Sequence, residues 1–468
     1  MLFSSTTFLY GFLPAVLLGY FVLFRWTRPM QNVFLLLASL VFYAWGEPRF
    51  VLVMMGSILL NWAFGLLVDR FRDRRHMARL WLILDLAFNL AILFVFKYLG
   101  FTGRLAYRVF GLELALPEIA LPIGISFFTF QAISYVADVY RKRAEVQPNL
   151  LYVGLYISFF PQLIAGPIVR YQTIADQILN RRVTADDVFD GFARFVVGLA
   201  KKVLLANSLS VLAGRAFDGL HAGESLSVLF AWLGAIAYTL QIYFDFSGYS
   251  DMAIGLSRMF GFRFPENFDL PYTSASVSEF WRRWHISLGT WFRDYVYIPL
   301  GGNRGGRGRV LCNLFAVWFL TGLWHGANVT FVVWGLMYFV LIAAEKLAAP
   351  HRPPRVLGRC YTLLFVALGW VIFRSASIGD AALYLKSLFG LCGNPLSDGL
   401  FTGYLTQNLP LLAISILFST SLFRQLREKT EGSAAMGWLR TLGLILLLVL
   451  SVASLVSSSY NPFIYFNF

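Results

Sequence analysis

Long apolar runs, most of them closed by a short cluster of Lys or Arg, govern what this 468-residue chain can fold into. They lie near 3–24, 31–45, 50–68, 80–99, 119–139, 150–168, 188–212, 226–247, 310–324, 328–346, 358–375, 406–423 and 438–457. A bilayer crossing needs about 20 mostly apolar residues. In hydrocarbon each backbone N–H and C=O must find a partner inside the protein, so runs of this kind form helices. Several runs are short or interrupted by Gly and Pro. The pattern predicts an all-α, polytopic integral membrane protein with about 11–13 membrane segments, re-entrant or half-spans included. Composition agrees: 58% of the residues are hydrophobic and only 14% charged, against about 25% charged in soluble domains.

The formal net charge of +14 does not point to nucleic acid, because the Lys and Arg sit at the ends of apolar runs, where they report orientation and contact with anionic headgroups. Arg25 and Arg28, Arg70 to Arg79, Arg141 to Arg143, Lys346 to Arg359, and Arg424 to Arg440 form the clusters. Placing them all in the cytoplasm puts both chain ends on the opposite side, and the exported loops 46–49 and 376–405 are then poor in Lys and Arg. The first run has no basic stretch before it and no obvious cleavage site after it, so it reads as a retained span. Cys312, Cys360 and Cys392 have neither metal-ligand spacing nor an even disulfide framework. No linker or internal repeat interrupts residues 1–468, which read as one membrane domain.

Residues 276–309 differ from the rest. Ser276 and Glu279 fit a capping box, and a helix is expected from there to about Ile298, before Pro299. On such a helix Trp281, Trp284, Leu288, Trp291 and Tyr295 share one stripe, and Arg282, His285, Gly289 and Arg293 share another. An amphipathic helix of this kind lies at a headgroup surface, either as an anchor or as a cationic wall for a phosphorylated donor. The following Gly- and Arg-rich stretch, 301–309, is not a phosphate-binding P-loop and reads as a basic loop.

His325, in Thr321-Gly322-Leu323-Trp324-His325-Gly326-Ala327-Asn328, lies between two apolar runs. An ionisable group at membrane depth is costly and is a candidate for function by default. A neutral imidazole can take a hydroxyl proton near neutral pH. Gly322 and Gly326 are expected to leave room for a ligand beside the ring. A histidine hydrogen-bonded within a helix bundle would show the same pattern. Asp245 and Asp251 are expected to be buried; they could pair with an arginine of 282–293 or orient a histidine, and the structural role is favoured. The broken segment Pro161–Ile168 should have its freed backbone groups met in protein or along a cavity, and reads as a cavity wall. No serine-hydrolase elbow, metal-type His or Cys cluster, or dinucleotide fingerprint is present.

The runs 162–168, 245–251, Trp281–Leu288 and Gly322–Gly326 together resemble the membrane-bound O-acyltransferase family, in particular its bacterial branch that acetylates polysaccharides such as alginate and cellulose. The resemblance implies a thin protein centre between cytoplasmic and periplasmic funnels. It also implies an inner-membrane enzyme that moves acetyl from cytoplasmic acetyl-CoA toward an exopolysaccharide, with no permanently bound cofactor and no metal. His325 then matches the catalytic histidine and His285 the second motif position. Arg282, Arg283, Trp284, Arg293, Trp324 and Asn328 become the donor-binding candidates, with Asp245 and Asp251 as supporting acids. The expected partners are a periplasmic esterase-like (SGNH) acetyltransferase, an exopolysaccharide synthesis and export complex, and membrane lipid. The aromatic tail, 458–468, resembles that of the branch and that of a small peptide in teichoic-acid D-alanylation, which makes Tyr465 a candidate acyl relay; an interfacial anchor is the other reading. A transporter or flippase, or a scaffold of an export complex, is the rival class; a transporter predicts a two-halves repeat, and none is visible.

Overall fold

A computed structural model describes residues 1–117, 119–348, 353–430, 433–457 and 464. Among the described residues the regular structure is helical, apart from one isolated antiparallel bridge between Phe268 and Trp284. Nine helices among them are long and apolar enough to cross a membrane: Arg28–Gly46, Val51–Arg70, Arg75–Phe110, Ala185–His221, Val228–Met259, Val329–Leu347, Arg355–Arg374, Gly399–Phe418 and Ala435–Ser457. The other apolar runs also form helices, but shorter or more polar ones: Phe8–Leu23, Ile125–Tyr140, Leu150–Ser158 with Phe160–Leu163, and Arg307–His325. The polytopic all-α fold is therefore as expected. Leu439, Leu442, Ile445, Leu446 and Val449 lie on the protein's outside. A row of exposed aliphatic side chains on a helix of that length is a lipid-facing surface.

The chain forms two compact units. The first comprises Met1–Phe195 and Tyr249–Pro265. Phe3, Phe8, Phe42, Phe160 and Tyr249 pack at its centre, with ring centroids 4.7 to 6.5 Å apart. Several of its buried polar groups are paired across helices. Arg181 donates to the Tyr20 hydroxyl, to Asn32 Oδ1 and to the Phe260 carbonyl, and lies over the Phe262 ring. Asn61 and Asn89 hydrogen-bond across two spans, and Asn89 donates to Asp85. At the break before Pro161, Phe160 N–H donates to Ser39 Oγ, and Gln162 donates to the Tyr156 carbonyl. Residues 161–169 are all buried, so protein groups meet the freed backbone there. Asp251 belongs to this unit and pairs with Arg194 at 2.8 Å. The expected pairing with an arginine of 282–293 is not made: an acid on the Val228–Met259 helix meets the cation that helix packing brings to it.

The second unit comprises Val196–Gly248 and Glu266–Phe468. Its site-forming helices are α1 (Val228–Met259, up to Gly248 in this unit), α2 (Val277–Arg283), α3 (Ile286–Phe292), α4 (Arg307–His325), α5 (Val329–Leu347) and α6 (Arg355–Arg374). Helices α4 and α5 form a tight hairpin. A Cβ on Gly322 would collide with the Phe331 carbonyl oxygen, and one on Gly335 with that of Trp318. Gly326 is likewise filled against, by the Phe331 ring. Gly322 and Gly335 therefore serve backbone-to-backbone approach and Gly326 makes room for the Phe331 ring; the space beside the His325 ring is walled by other residues.

The expected continuous helix from 276 to 298 is broken. Ser276 does cap α2, accepting from Glu279 N–H at 3.0 Å, while Glu279 accepts from Ala275 N–H. The helix then stops at Arg283, and His285 takes a left-handed conformation with φ 46°. The cause is a strand-like pairing: Asp269 N–H donates to the Arg283 carbonyl and Ile286 N–H donates to that of Asn267. Those tertiary bonds outcompete the helical ones at 284–285. The two stripes read on one helix are thus distributed over two short helices, although the aromatics still face inward and Arg282 and Arg293 outward.

Candidate active site

Helix α4 ends at His325, because Gly326 is extended and Asn328 starts α5 as its N-cap. The imidazole is only 7% exposed. Three aromatic rings surround it edge-on: Trp324 and Trp334 at 5.0 Å and Phe373 at 5.3 Å. His325 also forms part of the wall of a small cavity of about 20 Å³, with Ile242, Phe246, Trp284, Trp370, Phe373 and Ile464. Every other wall residue is apolar or aromatic. The imidazole is thus the ionisable group of an otherwise apolar wall.

His285 stands behind this wall. Its ring lies 4.6 Å from Phe246 and 6.0 Å from Trp324, the ring that also packs on His325. His285 Nδ1 is 3.2 Å from Asn267 Oδ1, which also accepts from Ser287 N–H and Ser287 Oγ. With the amide oxygen as acceptor, Nδ1 carries the proton and Nε2 the lone pair. His285 lies outside the nine spans, and burial pushes its imidazole from 6.5 down to about 3. It is neutral at any physiological pH.

The indole rings fix this arrangement. Trp281 of α2 packs on Trp318 of α4 and on Trp334 and Tyr338 of α5, at 4.9 to 5.4 Å. Trp284 packs on Trp370 of α6 at 4.9 Å. The Glu345 carboxylate of α5 accepts from Val277 and Ser278 N–H at the start of α2. That anchor holds the short helix by its otherwise unbonded amides.

The sequence-expected residues divide into those the fold gathers and those it employs elsewhere. His325 and Trp284 line the cavity, and His285 and Trp324 back it. Arg282 is exposed, Arg283 pairs with Glu279 at 2.9 Å, and Arg293 pairs with Asp294 at 2.8 Å. Asn328 is spent on structure, accepting from Thr330 N–H and donating to the Ala376 carbonyl. Asp245 pairs with Lys202, again not with an arginine of 282–293. Tyr465 lies outside the described residues. Nothing in the sequence singles out Ile242, Asn267, Trp334, Trp370 and Phe373: an apolar wall looks like any other membrane helix face, and Asn267 carries no motif. Lys202 had a readable signal, a cation inside the run 188–212. Among the described residues no cluster of His, Cys, Asp or Glu could hold a metal ion.

Sequence comparison now gives the site its setting. The profile of the membrane-bound O-acyltransferase family matches residues 105–375, which include both histidines. A Pseudomonas putida protein named probable alginate O-acetylase AlgI is 42% identical, with all of both chains covered. The peptidoglycan O-acetyltransferase of Helicobacter pylori is 33% identical over all of this chain and 98% of its own. The teichoic acid D-alanyltransferase of Bacillus subtilis is 27% identical over 54% of this chain and 68% of its own. With a profile match over more than half its length and full-length relatives above 30% identity, this multi-pass membrane protein belongs to the membrane-bound O-acyltransferase family and is an O-acyltransferase.

Proposed function

We propose that the chain is an O-acetyltransferase of the bacterial inner membrane that takes acetyl from cytoplasmic acetyl-CoA and delivers it for O-acetylation of an exopolysaccharide, alginate foremost. The observation that carries the reading is His325, a buried imidazole in the wall of a small aromatic cavity. His325 takes the proton of the accepting hydroxyl as its oxygen bonds to the acetyl carbonyl carbon. The carbon–sulfur bond breaks, and the thiolate of coenzyme A leaves with the proton returned by the imidazolium. The apolar wall suits the acetyl methyl group. The exposure of Arg282, with Arg283 and Arg293 nearby in sequence, supports a role for it in meeting the phosphates of coenzyme A. The neutral His285, fixed by Asn267, keeps the second imidazole out of charge competition behind Trp324.

Alginate is favoured by the name of the 42%-identical relative, which matches from end to end; a peptidoglycan acceptor is supported by the name of the more distant H. pylori relative. Cellulose stays the third candidate acceptor. The acceptor hydroxyl belongs to Tyr465, to a periplasmic esterase-like partner, or to the polymer itself. Purified protein in lipid vesicles with labelled acetyl-CoA tests the reading. Free coenzyme A should appear together with labelled polymer when a periplasmic extract and alginate are supplied. Transport of a solute without coenzyme A release would overturn it in favour of a transporter.

A further inference from the structure

A buried ion pair stands next to the cavity. Lys202 Nζ lies 2.7 Å from Asp245 Oδ1, and each side chain is 2% exposed. Lys202 also donates to Asn207 Oδ1 at 2.8 Å. Gly248 permits the underlying helix contact, since a Cβ there would stand 2.8 Å from the Gly198 carbonyl oxygen and 3.1 Å from Lys202 N. Burying two charges is expensive, and an ion pair by itself seldom repays it against apolar residues of the same shape. A structural pair would therefore be dispensable. This one does something more. Asp245 Oδ2 accepts the backbone N–H of Ile464 at 2.9 Å, across 219 residues of sequence. The Ile464 side chain, 8% exposed, then lines the cavity with His325, while Ile242 and Phe246, on either side of Asp245 in sequence, line it too.

We infer that the Lys202–Asp245 pair is a seat for Ile464: Lys202 fixes one carboxylate oxygen, and the other holds Ile464 by its backbone at the His325 cavity. A charged acceptor is needed because the held group is a main-chain amide, with no side-chain chemistry to recognise, and hydrogen bonds to a carboxylate are the stronger kind. Asp245 acts through Ile464, so it is a positioning residue. Its use rests on the acetyl-transfer reading, because Ile464 completes the wall of the cavity that reading assigns to the acetyl group.

The seat is tested by shielding. The natural cysteines Cys312, Cys360 and Cys392 are exposed and free, so they are first replaced by serine. In that background Ile464→Cys is introduced into the full chain, purified in detergent and reacted with N-ethylmaleimide. Labelling should be slow with Lys202 and Asp245 in place. It should be about tenfold faster or more in the Lys202→Met/Asp245→Leu double variant, and faster also in Asp245→Asn, which keeps the shape should the double variant not fold. A separate Ala237→Cys probe, buried on the same helix, reports general loosening and should not change. Equal labelling of the thiol at position 464 in all folded backgrounds, or a rise shared by the thiol at position 237, overturns the seat. A shielded thiol at position 464 in a protein that releases no coenzyme A leaves the seat standing and overturns the acetyl-transfer reading instead.

Discussion

His325 and His285 both pack against Trp324, yet they stand in different surroundings. His325 forms part of the cavity wall; His285 is held behind it by Asn267. Asn267 accepts from three donors at once, so Asn267→Leu leaves a ring nitrogen, an amide and a hydroxyl without their acceptor. An unsatisfied buried donor costs about 1–3 kcal/mol. The variant should melt earlier and lose acyl transfer, whereas Asn267→Asp, which keeps an acceptor oxygen in place, should recover part of both. The buried imidazole also sets a pH dependence. Between its ordinary 6.5 and its folded value of about 3, the unfolded chain binds a proton that the folded chain refuses. Stability should therefore fall as pH drops below about 6.5 and be indifferent to this group above it. In thermal melts His285→Gln should flatten that acid-side slope; an unchanged slope would show that other groups cause it.

The elements repeat the same lesson about close approach. Helices α4 and α5 are a hairpin because Gly322 and Gly335 each face a carbonyl oxygen of the other helix. Gly335→Ala drives a methyl group into the Trp318 oxygen, and overpacking of this kind costs about 1–3 kcal/mol. A lowered melting temperature in detergent checks it. Ser276→Ala, which removes the cap of α2, should cost about 1 kcal/mol. What sequence could and could not disclose follows the same division. All thirteen apolar runs form helices, because hydrophobic length and backbone satisfaction are local demands. The cap at Ser276 was legible for the same reason. The break at His285 was not, because its cause is pairing with 267–269, far enough away that no periodicity records it. His325 was legible as a lone ionisable group between apolar runs, whereas the partners of Asp245 and Asp251 depend on which helices touch.

At the scale of the whole molecule, nine bilayer-length helices among the described residues and an outer surface of Leu, Ile and Val define a multi-pass membrane enzyme. The proposed orientation follows from the basic clusters: reporter enzymes fused in the loop after Arg70 should read as cytoplasmic, and those fused within 391–397 as periplasmic. The opposite pattern would turn the donor's entry side around. The account as a whole stands on one imidazole, and general acid–base groups contribute about 10²- to 10⁴-fold. The most direct measurement is acetyl transfer from labelled acetyl-CoA by His325→Ala, purified alongside the parent protein and reconstituted in the same lipid. The account predicts an unchanged yield of folded protein and transfer reduced at least about 100-fold. A folded His325→Ala protein that still transfers acetyl at the parent rate would contradict it.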